Sequence, residues 1–139
     1  MSGTALLEQY RPVTTDAAAI YRSAAGGISA TAIPGLLALM DVSRQVLAKE
    51  VLGLSAKTIS RALQDKRTLD QSTGEHLLKL LQLYDKGISL FGDAAAFNRW
   101  LRKPAHGLFQ ELPFSLLRTI VGIDLIYDEL VRIEYGDLA

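Results

Sequence analysis

Cysteine is absent from the 139 residues, which excludes a disulfide framework, a thiolate metal site and a thiol nucleophile. Histidine is scarce: His76 and His106 lie in different segments, and neither stands in a metal spacing such as HExxH. No glycine-rich phosphate loop follows a strand-like run, and Asp and Glu are scattered without a paired acid/base arrangement. The chain is therefore read as carrying no catalytic residue, no metal and no cofactor, with both histidines on the surface. No apolar stretch approaches the ~20 residues of a membrane-spanning helix. The opening MSGTALLEQYRP lacks the basic segment and apolar run of a secretory leader, so the expected location is cytoplasmic. An excess of charge is missing as well. Fifteen basic and fifteen acidic residues cancel, and bulk charge alone does not announce a nucleic-acid binder.

What is present is a high apolar content, 49% with a mean hydropathy of +0.17, and an uneven distribution of charge. A domain this small exposes much of its surface, so part of that apolar area is expected to face a partner or a second copy. Residues 55–67 hold Lys57, Arg61, Lys66 and Arg67 against Asp65 alone, a local balance of +3. Residues 123–139 hold Asp124, Asp128, Glu129, Glu134 and Asp137 against Arg132 alone, a balance of −4. The two regions are built for different neighbours.

Periodicity predicts an all-α chain, since no run with a period of two survives. Residues 1–33, rich in Ala, Gly, Ser and Thr, read as an N-terminal arm or dimerisation element, with loose first residues as the alternative. Residues 34–70 read as three short helices: one opened by Pro34, one capped by Ser43 and ended by Gly53, and one capped by Ser55. This is the layout of a helix-turn-helix. Residues 71–139 read as a second helical module. A long helix capped by Ser72 opens it, with Leu77, Leu81, Tyr84 and Ile88 on one stripe. A helix capped by Asp93 follows, then one running from Pro113 to Gly122, then a last helix from Asp124 to Gly136. Trp100, Leu101, Leu116 and Leu117 are expected core.

The most informative stretch is LSAKTISRALQDKR, residues 54–67. At 100° per residue, Ala56, Ile59 and Leu63 share one face, and Lys57, Arg61 and Gln64 the opposite one. That division suits a recognition helix locked on its scaffold by apolar residues. Arg61 has the fork for guanine O6 and N7, and Gln64 matches adenine. Ser55, Lys57 and Thr58 are placed for phosphates, and Lys66 and Arg67 follow the helix as further backbone contacts. Such modules dock on half-sites about one helical turn apart, so a homodimer is expected.

From about Pro34 onward the chain resembles the Xre/MbcA/ParS antitoxin family, in particular the Xre partners of RES-domain toxins. The resemblance is carried by GLSAKTISRAL with RTLD, by LFGDAAAFNRWLRKPAHGL, by LPFSLLRTIVG and by LVRIEYGDL. One departure is visible: Phe109, Gln110 and Glu111 stand where the family usually shows a small-residue turn ahead of the proline at 113. The resemblance implies a Cro/Xre-like helix-turn-helix joined by a long helix to a toxin-binding module. It further implies binding to operator DNA of its own operon, and to a toxin that consumes NAD⁺, in a higher toxin–antitoxin assembly. Arg132, Glu134, Tyr135, Asp137, Leu138 and the terminal carboxylate of Ala139 are the candidate toxin contacts, an acidic tail suited to a basic nucleotide cleft. The competing reading is a stand-alone repressor whose C-terminal module serves dimerisation.

Overall fold

A computed structural model of the chain describes residues 2–136. Its helices are α1 (Gly3–Tyr10), α2 (Ala17–Gly26), α3 (Ile33–Met40), α4 (Arg44–Val46), α5 (Ala56–Gln64), α6 (Gln71–Phe91), α7 (Ala94–Leu101), α8 (Pro113–Leu116) and α9 (Ile120–Glu134). α4 continues as a wider π-helical turn over Leu47–Leu52. Its end is a bifurcated stop: the N–H groups of Gly53 and Leu54 both donate to the Ala48 carbonyl. Gly53 holds a φ of 67°, a left-handed conformation that glycine takes without a side-chain clash.

α6 is the spine. Leu77, Leu78, Leu80, Leu81, Leu83 and Tyr84 are all buried, whereas Lys79, Gln82, Asp85 and Lys86, at helical spacing, are half-buried and form its one polar stripe. α2, α7 and α9 pack against it. The predicted all-helical architecture is therefore present, with one small addition. A two-residue antiparallel ribbon pairs Ile28 with Leu69 and Ser29 with Thr68, too short to leave a periodic signal.

The tract 1–33 is not a peripheral arm. Leu6, Leu7, Ile20 and Ala24 are in the core, and α1 packs on α3 while α2 packs on α6. Arg11 reaches Asp85 on the spine at 2.9 Å, and the Gln82 amide donates to the Thr14 carbonyl at 3.0 Å. Both helices are short and bury only two residues each, which is why these faces do not stand out in the sequence.

Several expected helix boundaries move. The spine begins at Gln71 after Asp70, not at Ser72, and Asp70 makes no side-chain cap bond. The last helix begins earlier than Asp124 and runs through Gly122. Thr119 caps it by accepting the Gly122 N–H at 2.9 Å. Gly122 does not stop a helix; it admits the Leu116 carbonyl oxygen, which would lie 1.9 Å from a Cβ there. Of the expected core residues, Leu101 and Leu117 are buried, whereas Trp100 and Leu116 are half-buried against the core.

One buried polar junction ties the helix-turn-helix to the C-terminal helices. The Tyr84 hydroxyl donates to Asn98 Oδ1, and Asn98 Nδ2 donates to the Leu39 carbonyl at 3.0 Å. Burial pushes the Tyr84 phenol well above its ordinary range, so it remains a donor throughout the working pH. Arg102 adds bonds to the Asn98 and Met40 carbonyls at 2.9 and 3.3 Å. Asn98→Leu strips Tyr84 of its acceptor and Leu39 of its donor. It should cost about 2–4 kcal/mol, since each unpaired buried group costs about 1–3; urea denaturation measures this directly.

His76 also departs from expectation. It is half-buried, with Nε2 2.8 Å from the Leu117 carbonyl; because a carbonyl only accepts, Nε2 carries the proton. Desolvation holds the imidazole below its usual pKa, partly offset by that bond. The folded state thus resists protonation more than the unfolded chain does. The stability this contributes is complete above the unfolded pKa of about 6.5 and declines as pH falls below it. Urea midpoints should drop between pH 7.5 and pH 5.5, and His76→Gln should flatten that drop.

Candidate DNA-binding and partner-binding faces

The basic helix α5 is built by local chemistry. The Ser55 hydroxyl accepts the Thr58 N–H at 3.0 Å, satisfying a donor that the first helical turn leaves free. At the other end Asp65 closes the helix and Lys66 turns into a left-handed φ of 50°. The Lys66 N–H then donates to Leu63 and the Arg67 N–H to Ala62, a Schellman ending. The Ala30 N–H bonds the Arg67 carbonyl at 2.8 Å, so the ribbon fixes the backbone beyond the helix.

Ile59 and Ala62 are the buried residues of α5. The second inward position is therefore Ala62 and not Leu63, which is half-buried. The outward set is displayed as the spacing predicts. Ser55, Lys57, Thr58, Arg61, Gln64, Lys66 and Arg67 are all exposed. They are not equally free. The Ser55 and Thr58 hydroxyls bond each other at 2.8 Å, which directs both inward to the cap. Arg67 pairs with Asp65 at 2.9 Å, both about half exposed; such a surface pair is worth roughly 0–1 kcal/mol and leaves the guanidinium easy to redirect.

Of the candidate partner face, Arg132, Glu134 and Tyr135 are among the described residues, and they do not share one environment. Glu134 turns toward the spine and accepts a hydrogen bond from Lys86, whose ammonium is held above its usual range by that bond. Arg132 Nε sits 3.4 Å from Glu129 Oε1. Tyr135 is 76% exposed. Asp137, Leu138 and Ala139 lie outside the described residues.

Sequence reasoning missed an exposed apolar line on α9: Val121 at 70% and Leu125 at 40% stand above Arg132 and Tyr135. Their spacing of three and four residues is a legible signal for one helix face. Also missed was Glu129, which is 3% exposed. An acidic residue placed i+3 from Ile126 and i−4 from Ile133, inside an apolar stripe, was the sign available for it. Among the described residues no group of three or more His, Cys, Asp or Glu is placed to hold a metal, and no helix is long and apolar enough to cross a membrane.

The loop that departs from the family pattern has an unusual backbone. Phe109 and Gln110 both take left-handed φ angles, 59° and 65°, where small residues fit more easily. The loop is pinned nonetheless: the N–H groups of Leu108 and Gln110 both donate to the Ala105 carbonyl, and the Ala105 N–H to Glu111.

A helix-turn-helix with an exposed basic second helix, followed by a helical module that exposes Val121 and Leu125 on its last helix, defines a DNA-binding regulator with a second interaction domain. Known families agree. Residues 19–82 match the antitoxin Xre-like helix-turn-helix domain, and residues 86–136 match the antitoxin Xre/MbcA/ParS C-terminal toxin-binding domain. The chain belongs to the Xre/MbcA/ParS antitoxin family. Curated relatives named Antitoxin Xre occur in Photorhabdus laumondii, 25% identical over 62% of this chain, and in Yersinia enterocolitica, 32% identical over 55% of it. The alignments cover 59% and 55% of those relatives. The chain thus matches little more than half the length of either.

Phe109→Gly should raise stability by about 1 kcal/mol, because the left-handed strain outweighs the entropy glycine adds to the unfolded chain, and Phe109 is 84% exposed with little packing to lose. A thermal melt with an unchanged far-UV spectrum checks this.

Proposed function

We propose that the chain is the antitoxin of a type II toxin–antitoxin pair: its C-terminal module binds and blocks a RES-type, NAD⁺-consuming toxin, and its helix-turn-helix represses the operon encoding both proteins. The observation that carries the reading is the separation of two chemically different exposed surfaces on different helices, one basic and one largely apolar with cancelling charges. The face of α5 presents Lys57, Arg61 and Gln64, and α9 presents Asp128, Arg132 and Tyr135 beside Val121 and Leu125. A negatively charged duplex suits the first and not the second.

In this reading Arg61 and Gln64 address base edges, while Lys57, Lys66 and Arg67 hold phosphates and make binding fall steeply with salt. Two copies would occupy successive half-sites. Residues 34–70 supply the DNA contacts, buttressed by the helices of 1–33, and residues 71–139 supply the toxin contacts. The acidic end of the chain, Asp137 to Ala139, substitutes for phosphate in the toxin's cleft. The chain itself performs no turnover.

Expressing the adjacent gene with and without this chain, while following growth and cellular NAD⁺, tests the pairing. Arrest with NAD⁺ loss, both reversed by the chain, is the expected result, and a harmless neighbour would leave a plain repressor. Two variants separate the jobs. Arg61→Ala should weaken operator binding by about 1–3 kcal/mol, relaxing one position while protection persists. Deleting residues 137–139 should weaken protection and leave operator affinity unchanged.

A further inference from the structure

Glu129 is a carboxylate inside the C-terminal module with half of its bonding capacity unused. Its Oε1 receives only Arg132 Nε at 3.4 Å, near the limit for a hydrogen bond, and its Oε2 has no partner among the described residues. Buried carboxylates are ordinarily paired, because their desolvation is otherwise uncompensated. The placement of Oε2 is built into the fold. It lies over Gly107, 1.4 Å from where a Cβ would stand, so any other residue at 107 would displace it.

Beside this carboxylate opens a cavity of about 180 Å³, walled by Trp100, Pro104, Gly107 and Ile133, with His106 at its edge. At about 30 Å³ per water, it has room for the end of one long side chain and not for a nucleotide. The walls are an indole, a proline ring and an aliphatic chain; the only permanent charge is the anion. That combination favours a planar cation on an apolar stem: a guanidinium stacks on indole, presents several N–H donors to a carboxylate, and brings methylenes that tolerate apolar walls.

We infer that this cavity receives an arginine side chain of the toxin, with Glu129 Oε2 as acceptor and Trp100 as stacking surface. The assignment rests on the toxin-binding reading above and deepens it. The cavity lies wholly within residues 86–136, the part matched to the toxin-binding domain, and Glu129 is the one acidic residue among those that line it. It runs opposite to the acidic-tail contact, since here the toxin reaches into this chain. Long charged side chains that find a buried partner of opposite sign are the contacts whose truncation most affects dissociation.

Because the chain has one tryptophan, 5-fluorotryptophan labels Trp100 alone, and its fluorine resonance reports the cavity. The labelled chain is titrated with the purified protein encoded by the neighbouring gene, and separately with methylguanidinium chloride against sodium chloride at equal ionic strength. The resonance should shift saturably with the toxin and with methylguanidinium but not with sodium. Glu129→Gln should abolish the methylguanidinium response and weaken toxin binding ten-fold or more, with an unchanged far-UV spectrum. A methylguanidinium response no larger than that of sodium overturns the assignment, as does a Glu129→Gln chain that binds toxin as tightly as the original. If that variant fails to fold, the titration of the unaltered chain decides alone. Toxin binding that leaves Trp100 unmoved overturns the cavity but keeps the toxin-binding reading. No binding of the toxin at all removes both.

Discussion

The buried amide of Asn98 is the constraint on which the two modules depend. An amide enclosed between α6, α7 and the end of α3 must satisfy both its oxygen and its nitrogen, or the fold loses stability at each. It does so with one donor from the spine, Tyr84, and one acceptor from the helix-turn-helix, the Leu39 carbonyl. An apolar contact tolerates sliding by an ångström; these two bonds do not. Arg102 reinforces the same corner through the Asn98 and Met40 carbonyls, with its guanidinium 5.0 Å from the centre of the Phe114 ring. The relation between the DNA-reading helices and the C-terminal helices is therefore specified by direction as well as by area.

The aromatic packing around this corner has a matching logic. The Phe97 ring meets Tyr84 edge-on at 5.0 Å and lies roughly parallel to Phe91 and Trp100 at about 6 Å. Such arrangements add to simple area burial. Phe97 comes close enough to the spine that a Cβ on Gly87 would be 2.5 Å from its ring. The helix carrying Trp100 is thereby seated directly on α6, and the wall of the cavity beside Glu129 inherits that rigidity. On the other side α1 and α2 brace the spine, and the ribbon from Ile28 holds the segment after α5.

What could be read from the sequence was local. Ser43, Ser55 and Asp93 cap their helices because a hydroxyl or carboxylate three residues ahead of a free N–H is sufficient for the purpose. The outward set on α5 followed from 100° per residue. What could not be read depended on neighbours distant in the chain. Gly122 carries the sequence signature of a helix end, yet it lies within one because the Leu116 carbonyl requires the space. The inward faces of α1 and α2 rest on two residues each, Leu6 with Leu7 and Ile20 with Ala24, so only the presence of α3 and α6 reveals them. Ala62 takes the inward place that Leu63 was expected to hold, and an alanine carries little hydrophobic weight in a sequence pattern. His76 read as a surface residue because titratable side chains usually are, and its half-burial against the Leu117 carbonyl is a property of the packed bundle alone.

Rigidity and freedom are consequently assigned to different kinds of interaction. The polar groups that set the architecture, Asn98, Tyr84 and His76, are buried or half-buried and bonded to backbone or to one another. Exchanging those partners would require opening the core. Of the charged groups offered to other molecules, Arg67 is held only by an exposed pair with Asp65, which water screens and a phosphate can displace at little cost. Glu129 belongs to neither group. It is as buried as the architectural residues, yet its second oxygen is unbonded among the described residues, so forming a contact there would satisfy a group the fold leaves incomplete. A surface cation gains little when a partner arrives, because water already served it. A buried anion facing a cavity gains far more, and it discriminates strongly against a partner that brings no cation.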